Sequence, residues 1–73
     1  LEWLELPARS PVVGKTLADI RMRTKTGASV IAIMRGEGAI ANPDIALPFA
    51  AGDTVLVIGS PAQTESARTL LLG

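Results

Sequence analysis

The 73-residue sequence contains no cysteine, no histidine and no tyrosine, and it has one tryptophan and one phenylalanine. Without cysteine the chain forms neither a disulfide nor a thiolate zinc site, and the sequence carries no sign of a redox compartment. Histidine is the commonest general base and metal ligand at neutral pH. Its absence argues against an enzyme and against a metal centre, so we expect no catalytic and no metal-ligating residues.

An excess of charge of one sign is also missing, because seven Lys and Arg balance seven Asp and Glu. A nucleic-acid module needs a basic excess to contact phosphates, so we expect no nucleic-acid partner. The carboxylates Asp19, Glu37, Asp44 and Asp53 are scattered along the chain, and we expect them to be solvated turn residues. No apolar run approaches the ~20 residues that cross a bilayer, so we expect no direct membrane insertion of this segment.

What is present indicates one small folded domain. Hydrophobic residues make up 48% of the chain and charged residues 19%, which is too apolar for a disordered segment. The chain begins at Leu1 without an initiating Met, so we interpret residues 1–73 as a single domain from a longer protein. A domain this short buries only about 60% of its unfolded surface, so a partner surface would stabilise it.

The hydrophobic pattern predicts an α+β fold with a small, mainly antiparallel sheet, two helices and the order β-α-β-β-β-α. Thr16 with Asp19 is typical of a helix N-terminus, and Ser60-Pro61 with Gln63 forms a second capping signature. Gly36-Glu37-Gly38 indicates a hairpin turn. The predicted elements are strand 1–6, a short helix within 14–23, strands 28–35, 39–41 and 54–58, and a last helix after Ser60.

The strands 28–35 and 54–58 are apolar on both faces, with Val30, Ala32 and Met34 on one face of the first and Ile31 and Ile33 on the other. An antiparallel sheet with a wet face has strands that alternate apolar and polar residues. We therefore expect both faces of the sheet to be covered by other parts of the protein or by a partner. Either each predicted helix covers one face of a monomer, or a second copy covers a face or edge, which predicts a homodimer.

Arg35 ends the first of these strands, and Asn42-Pro43 follows across the hairpin, so we expect Arg35 and Asn42 to lie near one another. Ile31 and Ile33 would then form an apolar surface, beside which Arg35 offers the paired donors of its guanidinium and Asn42 offers a side-chain amide. This combination suits a phosphate-bearing small molecule with flat bases. The alternative is an arginine that extends to solvent at a strand end and an asparagine in a turn.

Taken together and in order, five segments resemble the TrkA-C domain, also called the RCK C-terminal domain. They are EWLELP, SPVVGKTLADI, TGASVIAIMRGEG, IANPD and AAGDTVLVIGS, and the resemblance extends from Glu2 to about Leu71. It implies a regulatory domain on the cytosolic face of prokaryotic potassium channels, potassium uptake systems or cation/proton antiporters. The form of residues 1–7 and of Asn42-Pro43 is most similar to subunits or tails of potassium/proton antiporters.

The resemblance also implies a dimer whose interface holds an effector, which in some members is cyclic di-AMP and in others a divalent cation. Carried onto this sequence, the implied ligand-binding residues are Val30, Ile31, Ile33, Arg35, Asn42 and Pro43. The expected function is that of a cytoplasmic ligand-sensing domain that regulates ion transport by a membrane-embedded potassium channel or cation/proton antiporter subunit. The alternative is a structural dimerisation module of a transporter subunit, with no effector of its own.

Overall fold

The computed structural model describes residues 1–73 and shows one four-stranded antiparallel sheet with short helices packed against it. The elements are β1 (Glu2–Glu5), α1 (Leu17–Ile20), α2 (Met22–Thr26), β2 (Ser29–Arg35), β3 (Gly38–Ala41), β4 (Thr54–Ile58) and α3 (Pro61–Leu72). The strand order is β1-β4-β2-β3, and each neighbouring pair is antiparallel. The predicted α+β class and antiparallel sheet are confirmed.

Both predicted helix N-termini are present with full capping boxes. The Thr16 hydroxyl accepts a hydrogen bond from the Asp19 N–H, and the Asp19 carboxylate accepts one from the Thr16 N–H. Hydrogen bonding to the Asp19 carboxylate from the Thr16 backbone N–H, and secondly from the Thr16 side chain, lowers the pKa of Asp19. Ser60 and Gln63 exchange the same pair of bonds at the start of α3, where Pro61 occupies the first helical position. Local chemistry therefore fixes where these helices begin.

The first helical region differs from the prediction, because Arg21 divides it into α1 and α2. Arg21 adopts the left-handed conformation with φ 52°, which bends the chain between the two short helices. Residues 24–26 lie beyond the predicted helix but belong to α2, and Gly27 caps the C-terminus of α2 with φ 79°. A left-handed residue other than glycine is strained, and backbone hydrogen bonds to Leu17 and Lys25 hold Arg21 in place.

One face of the sheet packs into the hydrophobic core. Leu4, Val55, Ile33 and Ile40 stand side by side across the four strands on that face. Each helix adds to the same core, α1 through Ile20, α2 through Met22, and α3 through Ala67 and Leu71. The idea that each helix covers a different face of the sheet is therefore wrong. None of the helices is long and apolar enough to cross a membrane.

A β-bulge at Ile31 changes the predicted faces of β2. Val30 pairs with Val57 whereas Ala32 pairs with Leu56, so Ile31 is an extra residue between two ladder pairs. Because one extra residue reverses the alternation of side chains, Val30 lies on the core face with Ile33. The prediction that Val30 shares a face with Ala32 and Met34 is wrong for this reason.

The opposite face of the sheet has no helix over it and is mostly apolar, with Glu5 and Thr54 as a polar pair toward one end. Trp3, Leu56, Ala32 and Ala41 form one cross-strand row on this side. Trp3 is 52% exposed, Ile58 45% and Met34 36%, which are large fractions for hydrophobic side chains. We call the surface formed by Trp3, Ala32, Met34, Leu56 and Ile58 the open face. The exposed open face confirms that the helices are too few to cover both faces of the sheet.

An ion pair between a half-buried arginine and a buried carboxylate joins the end of β2 to the segment before β4. Arg35 donates from Nε to Oδ1 of Asp53 and from Nη2 to Oδ2, both at 2.8 Å. Arg35 Nη2 also donates to the Pro48 carbonyl, and the Ala50 N–H donates to Asp53 Oδ2. Asp53 is 0% exposed, so the expectation that it is a solvated turn residue is wrong. The hydrogen bonds from Arg35 lower the pKa of Asp53, although burial opposes this shift.

We expect Asp53→Asn to lower the free energy of unfolding at pH 7 by about 2–4 kcal/mol, because it breaks a buried pair in which Arg35 is partly exposed. Since folding lowers the pKa of Asp53, its stabilisation is complete above the unfolded pKa of about 3.9 and is lost as pH falls through the folded pKa. Urea unfolding of both proteins should therefore show a difference that shrinks below about pH 4. Glu37→Gln, in the exposed hairpin turn, is the control. Equal stability of Asp53→Asn and wild type at pH 7 would contradict this account.

Candidate functional site

The hairpin separates two residues that were predicted to share a site. Arg35 pairs with Gly38 beside the turn, whereas the Asn42 N–H donates to the Ile31 carbonyl at the other end. At ~3.4 Å per residue along a strand, Arg35 and Asn42 lie more than about 10 Å apart. The prediction that they lie near one another is wrong, because antiparallel pairing places residue 42 opposite residue 31.

Two of the six predicted ligand-binding residues have few free atoms with which to contact a ligand. Ile33 is 1% exposed and lies in the hydrophobic core. Arg35 uses Nε and Nη2 to bind Asp53 and the Pro48 carbonyl, which leaves only its Nη1 donors. Direct contact between either residue and a ligand stays a prediction, and their evident role is to hold β2 in the fold.

The other predicted residues lie at or beside a cavity of about 340 Å³ at the edge of the sheet, which we call the helix-edge cavity. Val30 and Pro43 line it, Ile31 follows Val30, and Asn42 precedes Pro43. Its full lining consists of Leu17, Ala18, Arg21, Met22, Arg23, Thr24, Ser29, Val30, Pro43 and Ile45. The cavity volume lies at the lower end of the range for small-molecule sites, roughly 300–1,000 Å³.

The Asn42-Pro43 pair explains why the sheet is open at this point. Asn42 adopts the left-handed conformation with φ 47°, which asparagine tolerates better than most residues, and it turns the chain away from β2. Pro43 has no N–H and cannot extend the ladder. As a result β3 ends at Ala41, and the first part of β2 has no β3 residue beside it.

The helix-edge cavity is positively charged. Arg21 and Arg23 line it, and no aspartate or glutamate does. Neither arginine belongs to an ion pair, since the pairs in the molecule are Arg35–Asp53, Arg68–Glu2 and Arg68–Glu65. Sequence reasoning missed these two residues, because it placed the end of the helix at Arg23. The only available signal was their position on either side of the apolar Met22.

Two other depressions lie on the surface. One, of about 340 Å³, is lined by residues that include Lys15, Lys25 and the carboxylate of Asp19, and it contains none of the predicted ligand-binding residues. A wider depression of about 690 Å³ is lined by residues from 5–9, 51–52 and Leu72, and it contains none of the predicted ligand-binding residues. No group of three or more Asp or Glu side chains comes together in a way that could hold a metal ion. The helix-edge cavity is therefore the best candidate for a functional site.

Comparison with known proteins connects this fold to ion transport. The ammonium/H(+) antiporter subunit AmhM of Alkalihalophilus pseudofirmus is 25% identical over 59 residues, which cover 81% of this chain and 35% of that protein. The chain therefore spans about a third of this relative.

Two solved structures share the fold. One is the RCK C domain of the potassium transport protein KtrA in complex with cyclic diadenosine monophosphate. Its TM-score is 0.81 with 26% identity, over 93% of this chain and 80% of that chain. The other is the RCK_C domain dimer of S. agalactiae BusR in complex with c-di-AMP. Its TM-score is 0.86 with 20% identity, over 94% of this chain and 91% of that chain.

The family comparison covers nearly the whole sequence, since residues 1–72 match the TrkA-C domain. This match confirms the resemblance carried by the sequence motifs, and the four-stranded sheet with its helices agrees with the RCK C-terminal structures. The chain belongs to the TrkA-C domain family.

Proposed function

We propose that this chain is a cytoplasmic regulatory domain of a potassium or other cation transport system, and that it binds a small effector such as cyclic di-AMP. The observation that carries the proposal is the helix-edge cavity, where two unpaired arginines meet an apolar wall that includes Val30 and Pro43. A cationic rim and an apolar wall suit a ligand that combines phosphates with flat bases. The similar domain of KtrA was solved in complex with such a ligand.

The open face supports a homodimer. Its Trp3, Leu56 and Ala32 are neighbours in one row. A fully buried tryptophan covers roughly 150–250 Å², and Trp3 is still 52% exposed, so about half of that area is left to bury. Burial of apolar surface is favourable by about 25 cal/mol per Å², so covering this face with the same face of a second copy would stabilise both. The similar BusR domain was solved as a dimer.

Strand β2 connects the two surfaces and gives a route for regulation. Val30 lines the helix-edge cavity, whereas Ala32 and Met34 lie on the open face two and four residues later. The bulge at Ile31 lies between them. A ligand that prefers one geometry of the bulge would favour one arrangement of the two copies, and so bias an attached transport protein.

The second candidate is a structural dimerisation module without an effector. One observation favours it, namely that the guanidinium of Arg35 is already bound to Asp53. In this case the open face alone would account for the function, and the arginines of the cavity would be solvated surface residues. The two candidates differ in whether any nucleotide binds.

We expect wild type to sediment as a dimer and Trp3→Glu to weaken the dimer at least tenfold, because a charge would be buried in an apolar contact. Tenfold corresponds to about 1.4 kcal/mol. Sedimentation equilibrium over a range of concentrations measures this. Ile45→Glu is the matched control, since Ile45 is 65% exposed beside the cavity and off the sheet. A dimer that resists Trp3→Glu but is dissociated by Ile45→Glu would show that the open face is not the interface.

For the effector, isothermal titration of wild type with cyclic di-AMP should show saturable binding. Asn42→Gly should bind about fivefold more weakly, because it removes an amide donor and acceptor worth ~1 kcal/mol while glycine keeps the left-handed backbone. Unfolding of the unliganded variant by urea checks that the fold is unchanged. The absence of binding to wild type would overturn the effector and leave the dimerisation module.

A further inference from the structure

We infer that Arg21 and Arg23 bind the phosphate of the ligand that occupies the helix-edge cavity, while an apolar wall that includes Leu17, Val30 and Pro43 holds its flat base. Only the identity of the natural effector rests on the function proposed above. The phosphate contact itself can be tested with a simple nucleotide. Neither arginine was among the ligand-binding residues that the resemblance implied.

The local backbone fixes both arginines at the mouth of the cavity. Met22 is 2% exposed and anchors the segment in the core, with one arginine on each side. The Arg21 N–H donates to the carbonyl of Leu17, the first residue of α1, and the Arg21 carbonyl accepts from the Lys25 N–H in α2. Arg21 is therefore held in its left-handed conformation from both directions. Such strain is often found where a side chain must be aimed at a site.

The charges around the cavity leave these two side chains free for an anion. Arg21 and Arg23 make no side-chain hydrogen bond and no ion pair within the chain. No carboxylate lines the cavity to compete for them. Two guanidinium groups offer forked donors that match phosphate oxygens, and such charge-assisted bonds are about twice as strong as neutral ones.

Arg35 is the alternative anion ligand, and its geometry argues against it. To bind an anion through Nε or Nη2 it would have to leave Asp53, and this would leave a carboxylate that is 0% exposed without its partner. While it stays bound to Asp53, only its Nη1 donors are free. Arg35 also does not line the cavity. Arg21 and Arg23 need to give up no partner, so an anion reaches them at much lower cost.

The test observes the arginine side chains directly, by ¹H–¹⁵N NMR of their Nε–H groups during titration with AMP and, separately, with adenosine. AMP should shift the Arg21 and Arg23 signals saturably and leave Arg35 in place, whereas adenosine, which lacks the phosphate, should not shift Arg21 or Arg23. The variant Arg21→Asn/Arg23→Gln should bind AMP at least tenfold more weakly, and its asparagine would tolerate the left-handed backbone. The control Arg9→Gln/Lys15→Gln removes the same charge from exposed positions outside the cavity and should bind normally.

Shifts at Arg35 without shifts at Arg21 and Arg23, or equal loss of AMP binding in the control variant, would overturn the inference. Titration with cyclic di-AMP separates this result from the proposed function. If AMP binds at the two arginines and cyclic di-AMP does not bind, the effector is wrong and the phosphate site stands. If cyclic di-AMP binds equally well to wild type and Arg21→Asn/Arg23→Gln, the effector stands and the phosphate site is wrong.

Discussion

The buried pair between Arg35 and Asp53 is the interaction on which the rest of the structure depends. Asp53 lies directly before β4, and Arg35 ends β2, so the pair fixes one end of the central β2–β4 ladder. The same carboxylate accepts a hydrogen bond from the Ala50 N–H, and the same guanidinium donates to the Pro48 carbonyl, so the pair also holds the segment before β4. A guanidinium held in this way stabilises the fold and is poorly placed to recognise a ligand.

The two faces of the sheet that this ladder organises differ in what covers them. Helices α1, α2 and α3 all contribute to the core on one side, and the open face is left apolar on the other. The bulge at Ile31 allows a single strand to serve both sides, with Val30 at the helix-edge cavity and Ala32 on the open face. A small domain thereby has the proposed ligand cavity and the proposed association surface on opposite sides of one sheet, so the ligand site proposed here is not the dimer interface that the resemblance implied.

Much of this fold could be predicted from the sequence where the signals are local. Thr16 with Asp19, Ser60 with Gln63, and the Gly36–Gly38 turn each act within a few residues, and all appear as expected. The bulge at Ile31 and the burial of Asp53 could not be predicted, because they depend on residues from other parts of the chain. The role of Arg21 and Arg23 could not be predicted for the same reason, since only the tertiary fold places them in one cavity with Val30 and Pro43.

The most direct test of the central claim is a crystal structure of this chain with cyclic di-AMP, in which the partners of each guanidinium are visible. The account predicts that Arg35 still binds both oxygens of Asp53 and that the phosphates lie against Arg21 and Arg23 in the helix-edge cavity. An Arg35 that has left Asp53 and binds a phosphate would contradict it.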